Sequence, residues 1–246
     1  MGRKLSDRGV TLPVQDIYEQ SATQLQRLGE RLVLGDRVFK YCYNGAAALL
    51  AGYLVQGPAI NTYDEDVVIP TSSTAGQNIV YATVHSTYGE TLAVNALKDG
   101  YLCVGAAGTG SVLGLNYKIK SNTVALVTAT TTITLYDNLV YALTAGQNTL
   151  CWVKNPYNGV VLLANTAIPI GIPAVPTTIN YYSWVQTWGP CAAVAAGAIT
   201  KGEDLISNDN GTVIVDDASS TKPRIGMAMQ TFDSGDAGLI FLQICP

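Results

Sequence analysis

From Arg37 to the end of the chain, apolar residues alternate in short stretches broken by turn pairs, and no long run of helical periodicity intervenes. Phe39, Tyr41 and Tyr43 fall on one face of the first such stretch, and Val38, Lys40 and Cys42 on the other. Further stretches of this kind lie at 79–84, 101–104, 117–120, 123–127, 131–136, 150–154 and 160–163. Between them stand pairs such as Ala75-Gly76, Asp99-Gly100, Ser121-Asn122 and Asn158-Gly159, which turn a chain at little steric cost. The pattern predicts an all-β fold of β-sandwich or barrel units.

The chain divides by composition into four parts. Residues 1–36 read as an N-terminal arm, extended or forming a short helix: Val14, Ile17, Tyr18, Leu25, Leu28 and Leu32 approach helical spacing behind Pro13, but Ser21 interrupts the stripe. Such an arm has little core of its own and is expected to order on a neighbour. Residues 37–163 form a β-rich body, and 164–180, with Pro169, Pro173 and Pro176, a stiff connector. Residues 181–246 form a C-terminal β unit that packs with 37–60. In it Tyr182, Trp184 and Gln186 share one strand face, Gly189-Pro190 ends that strand, and Asn210-Gly211 marks a hairpin. A strand, a small-residue corner and a Gly pair five apart occur twice, as Gly52/Gly57 and as Gly197/Gly202, a faint internal echo.

Charge narrows the function. Charged residues are only 13% of the chain, so much of the surface must be Thr, Ser, Asn, Gly and Tyr, which suits contact with other proteins. Residues 1–40 hold seven basic and five acidic residues; the remainder holds seven basic and thirteen acidic. The body cannot supply the clustered cations that displace counterions from phosphates, which argues against nucleic acid. No apolar run reaches membrane-spanning length, and no secretory leader opens the sequence. The start MGRKLS fits a myristoylation pattern only loosely. Five widely spaced cysteines read as buried thiols, without a zinc motif or other cofactor signature.

Chemical sites are few. His85, the sole imidazole, stands on an apparent strand without a nucleophile elbow, and reads as structural. The glycine run from Gly105 to Gly114 lacks the spacing and the following helix of a phosphate loop. Asp64-Glu65-Asp66 reads as a solvated tip, with Asp209 and Asp216-Asp217 as further acids lacking a calcium-loop pattern. Tyr181, Tyr182, Trp184 and Trp188 read as core plus oligomer interface, with a sugar-stacking platform as the alternative. No catalytic, metal or cofactor residue is singled out.

Five segments carry a resemblance: RVFKYCYNGAAALLAGYLVQ at 37–56, GLNYKIKSN at 114–122, LYDNLVYAL at 135–143, NPYNGVV at 155–161 and WVQTWGPCAAVAAGAI at 184–199. Through them the chain resembles virion structural proteins of tailed bacteriophages, in particular head decoration (cement) proteins. The resemblance implies a non-enzymatic protein, made in the host cytoplasm, that sits on the capsid surface as a homotrimer and bridges major-capsid subunits. It makes Arg3, Lys4, Arg8, Tyr18, Arg27 and Arg31 the candidate capsid-contact arm. The alternatives are a head-fibre or tail module that binds receptors or glycans, and a β-sandwich hydrolase.

Overall fold

The computed structural model describes residues 14–59, 64–85, 91–106, 112–218 and 220–246. Sixteen strands and no α-helix occur among them, so the all-β expectation holds. The chain forms two compact units, one of residues 1–58 with 156–246 and one of residues 59–155. The second is an insertion between neighbouring strands of the first: β3 (Val55–Gln56) and β10 (Asn158–Leu162) pair antiparallel on either side of it. Sequence patterning had run a single body across 37–163, because both units are written in the same short-strand style and nothing in composition marks the crossings at Pro58 and Pro156.

Unit 1 is organised by one long strand, β12 (Tyr182–Val194). Its first half closes a ring in which β2 (Arg37–Asn44), β10, β3, β11 (Pro169–Pro173) and β12 each pair with the next, and β12 returns to β2. Its second half pairs with β16 (Ala237–Gln243), which continues through β15 (Arg224–Ala228) and β13 (Asp204–Ser207) to β14 (Val213–Val215). A parallel bridge from Ala195 to Val213 closes this second ring. Gly189-Pro190 therefore does not end the strand; it sits where β12 exchanges partners. Gly189 has φ +88°, and a Cβ there would collide with the carbonyl of Asp36, so only glycine lets the two backbones approach. The connector is likewise part of the sheet, since Pro169–Pro173 pairs with both β12 and β3.

The described part of the arm is no free extension. β1 (Arg31–Leu34) forms a hairpin with β2 over the two-residue turn Gly35-Asp36, with φ +63° at Gly35 as a type II′ turn requires. Helical spacing failed as a guide because it counted residues that a strap and a strand bury separately.

Unit 2 rolls a six-stranded sheet, in the order β4 (Val67–Val68), β9 (Thr149–Val153), β6 (Tyr101–Ala106), β7 (Asn116–Asn122), β8 (Thr130–Leu135) and β5 (Ile79–Thr83). The end strands β4 and β5 approach each other, which nearly closes a barrel. Inward residues alternate along each strand and share one core that includes Leu102, Ile119, Ile133 and Trp152. The stretch 123–127, expected as a strand, instead carries a single bridge at Ala125.

That bridge belongs to a device used throughout the chain. Leu49 pairs with Thr177, Ser73 with Leu143, Leu92 with Ala125 and Ile199 with Phe232, each antiparallel and each through two backbone hydrogen bonds. Three residues after every one of these eight positions stands a residue with positive φ: Gly52, Asn180, Gly76, Gly146, Asn95, Thr128, Gly202 and Gly235. Where the hydrogen bond from the following residue closes the turn, as at Thr74–Gln77 and Thr200–Glu203, this is a type II turn. The echo seen in the sequence is real but was misaligned: Gly52 matches Gly202, not Gly197, because the turn and not the spacing of the glycines is repeated. The clearest trace is TAGQN, present at both 74–78 and 144–148.

Candidate functional site

The outer face of β2 and β12 carries Phe39, Tyr41, Tyr182 and Trp184, which cluster with Ile17 and Leu32. Tyr182 stacks on Tyr41 with centroids 6.0 Å apart and planes 10° from parallel. Trp184 meets Tyr41 edge-on at 5.0 Å and 65°, the offset geometry that aromatic quadrupoles favour. A strap of residues 14–21 covers this face, and Gln15 is its hub. Gln15 Nε2 donates to the carbonyls of Glu19 (2.8 Å) and Tyr182 (3.1 Å). Its Oε1 accepts from the Tyr41 hydroxyl at 2.6 Å, and its backbone carbonyl accepts from Trp184 Nε1 at 3.0 Å. Ser21 and Tyr182 exchange two backbone hydrogen bonds, and the Thr178 N–H donates to Gln20 Oε1 at 2.7 Å. Burial pushes the Tyr41 and Tyr182 hydroxyls above their ordinary value; at Tyr41 the Leu25 N–H opposes the shift.

Of the aromatic residues predicted to share a site, Tyr182 and Trp184 are brought together, and Trp184 is only 1% exposed. Trp188 follows a register shift in β12 and packs edge-on against Phe241 at 5.8 Å. Tyr181 is half-buried just before the strand. Tyr18, Arg27 and Arg31 of the proposed contact arm are all exposed; Tyr18 Oη accepts from Arg37 Nη1 at 3.4 Å, and Arg31 Nε donates to the Pro246 carbonyl at 3.3 Å. Arg3, Lys4 and Arg8 lie outside the described residues, as does the N-terminal glycine. Gln15 itself escaped sequence reasoning: a lone glutamine in a polar segment carries no pattern, and its role comes from where the strap lands.

Asp64 is not a solvated tip; it is 3% exposed, and its Oδ1 accepts from Trp152 Nε1 at 2.6 Å. Asp66 accepts from the Thr149 hydroxyl at 3.3 Å. Asp209 pairs with Lys222 at 3.0 Å. A hydrogen bond from Asn165, then one from Lys222, holds its carboxyl below the usual range. His85 is exposed at the end of β5. The centre of the glycine run, residues 107–111, lies outside the described residues. Among the described residues no three His, Cys, Asp or Glu side chains gather as metal ligands.

No protein-family model matches this chain, and no curated protein matches it. Among solved structures it is similar to the N base of the head fiber gp8.5 of bacteriophage phi29, at 18% identity and a TM-score of 0.29, over 35% of this chain and 71% of that one.

Proposed function

We propose that this protein is a non-catalytic capsid decoration protein that binds the outer surface of a phage head and bridges neighbouring major-capsid subunits as a homotrimer. The observation that carries the reading is the anchored strap. Gln15 anchors the strap beside an exposed Val14, and in the sequence Arg3, Lys4 and Arg8 precede this anchor on a net-acidic protein. A basic N-terminal segment on a low-charge body suits many weak contacts repeated over a shell, which gain strength by avidity. The glycan-binding alternative is less favoured, because Trp184 is buried under the strap and Tyr182 lies against Tyr41, which leaves Tyr181 and Trp188 as separate half-buried rings.

The test is to add the purified protein to expanded heads that lack it, sediment them, and count copies against the shell protein by quantitative mass spectrometry. Near-stoichiometric binding is expected, and heads that sediment bare would overturn the proposal. Removing residues 1–13 should lower occupancy and leave the melting temperature unchanged. Removing the whole of 1–36 should destabilise unit 1, since it strips β1 and the strap from the aromatic face.

A further inference from the structure

Side-chain direction in unit 2 sets two cysteines against each other. Leu102 and Val104 of β6, and Leu150 and Trp152 of β9, point into the barrel core. Cys103 and Cys151 therefore point to the outer face, where both are half-exposed, and they are direct partners in the antiparallel register. Val104 turns its amide and carbonyl to the β7 side, donating to Leu115 and accepting from Gly114, so Cys103 turns its own to β9. The two cysteines thus form a hydrogen-bonded pair, whose Cα atoms stand about 5.5 Å apart, inside the roughly 4.4–6.8 Å that a disulfide spans. Cys151 Sγ already reaches over β6: a Cβ on Gly105 would lie 2.6 Å from it, so the bare glycine gives the sulfur its room. Cys103 Sγ donates to the Val104 carbonyl at 3.6 Å, and a rotation about its Cα–Cβ bond frees it to face Cys151. By contrast, Cys42 stands opposite Ser183, Cys191 opposite Ile240, and Cys245 follows the last strand.

We infer that Cys103 and Cys151 are a modification site, a dithiol that closes to a disulfide between β6 and β9 on meeting a small-molecule disulfide and reopens under reducing thiols. One cysteine thiolate attacks a sulfur of the reagent, breaking its S–S bond and releasing one thiol. The second thiolate attacks the protein sulfur of the resulting mixed disulfide and releases the other. Two protein thiols are oxidised, losing two electrons and two protons, and the reagent disulfide is reduced to two thiols. The mixed disulfide resolves internally because the second thiol is held beside the first at high effective concentration. In the hydrogen-bonded register the Cβ atoms stand toward the wide end of about 4.5–5.5 Å, against about 3.8 Å in a relaxed disulfide, so the closed bond is strained and readily reduced. The register shift beside the pair, between Val104 and Ala106, lets β6 yield toward β9. A reducing cytoplasm keeps such a pair open, and an oxidising medium closes it. The inference stands on the geometry of unit 2 and does not need the proposed function.

The probe is oxidised 2-mercaptoethanol, an uncharged disulfide that a net-acidic protein does not repel. The full chain, reduced and freed of thiol, is incubated with it, alkylated, digested with trypsin and mapped by mass spectrometry without reduction. Trypsin places each of the five cysteines on its own peptide. Peptides 99–118 and 121–154 should be joined, with no mercaptoethanol adduct on either, in protein that runs as a monomer on a non-reducing gel. Cys245 should carry the adduct, whereas Cys42 and Cys191 should stay unmodified, which checks that the fold is intact. In Cys103→Ser and in Cys151→Ser the remaining partner has no thiol to resolve onto and should hold the adduct as Cys245 does. Excess reduced 2-mercaptoethanol should restore both thiols well below the melting temperature. Adducts or free thiols at both positions of the wild type, a join between two chains, or single variants that both stay unmodified overturn the inference. A bond that opens only on unfolding overturns its reversibility.

Discussion

Unit 1 and unit 2 bury similar residue types by different means. Unit 2 has one continuous apolar core inside a nearly closed barrel. Unit 1 has three separate clusters, one inside each of its two rings and one between the strap and the outer face of β2 and β12. A divided core leaves less apolar contact to fix each piece, and polar side chains take over the positioning. Gln15 holds the strap; Gln56 joins β3 to the chain at Ala164 and Thr166; Gln186 reaches the carbonyls of Trp188 and Pro190 around the partner exchange of β12. Unit 1 should accordingly be more sensitive to single polar changes and to pH.

The largest effect should come from Trp184→Ala, which removes the indole that joins strap and sheet and should cost about 3–5 kcal/mol. Calorimetry should show the unit 1 transition falling; an unchanged profile would mean that the strap contributes little. Gln15→Ala leaves the buried Tyr41 hydroxyl without its acceptor and should cost about 1–3 kcal/mol. Asp64→Ala is the matching change in unit 2, leaving the Trp152 N–H unpaired, and sharpens the comparison if it lowers the other transition by about 1–3 kcal/mol.

The alkaline limb of stability offers a subtler separation. In unit 1, burial pushes the Cys191 thiol up to about 12 from an ordinary 9.0, and it pushes Cys42, Tyr41 and Tyr182 upward as well. These groups are protonated in the fold, so their contribution is complete below their unfolded pKa values. It is lost as pH rises past about 9 toward the folded values. The unit 1 transition should therefore fall between pH 9 and 11, and a pH-independent transition would count against burial as the cause. Smallest in energy, though sharp in readout, is thiol labelling at neutral pH: half-exposed Cys103, Cys151 and Cys245 should react in the native protein, and Cys42 and Cys191 only on unfolding.

Legibility in the sequence followed range. The faces of β2 and β12 were readable from alternation, because side-chain direction in a strand is set by the neighbouring residue. The Asn210-Gly211 hairpin was readable for the same local reason and joins β13 to β14. The insertion of unit 2 was not, since it depends on β3 and β10 meeting across about a hundred residues. Nor was the candidate site: Tyr182 and Trp184 were identified, but the glutamine that covers them was not.

What the sequence determined by itself was the all-β class, the low charge of the surface, and the basic bias of the first forty residues, all properties of composition and short-range periodicity. Only the tertiary structure decided that β12 serves two rings, that Gly189-Pro190 is a change of partner instead of an end, and that Asp64 points inward to Trp152. It also decided which valines and leucines stay exposed, as Val140 and Leu50 do, and which are buried, as Val80 and Leu102 are. Burial is fixed by which distant segments close over a residue, and a single sequence records the residue without recording its cover.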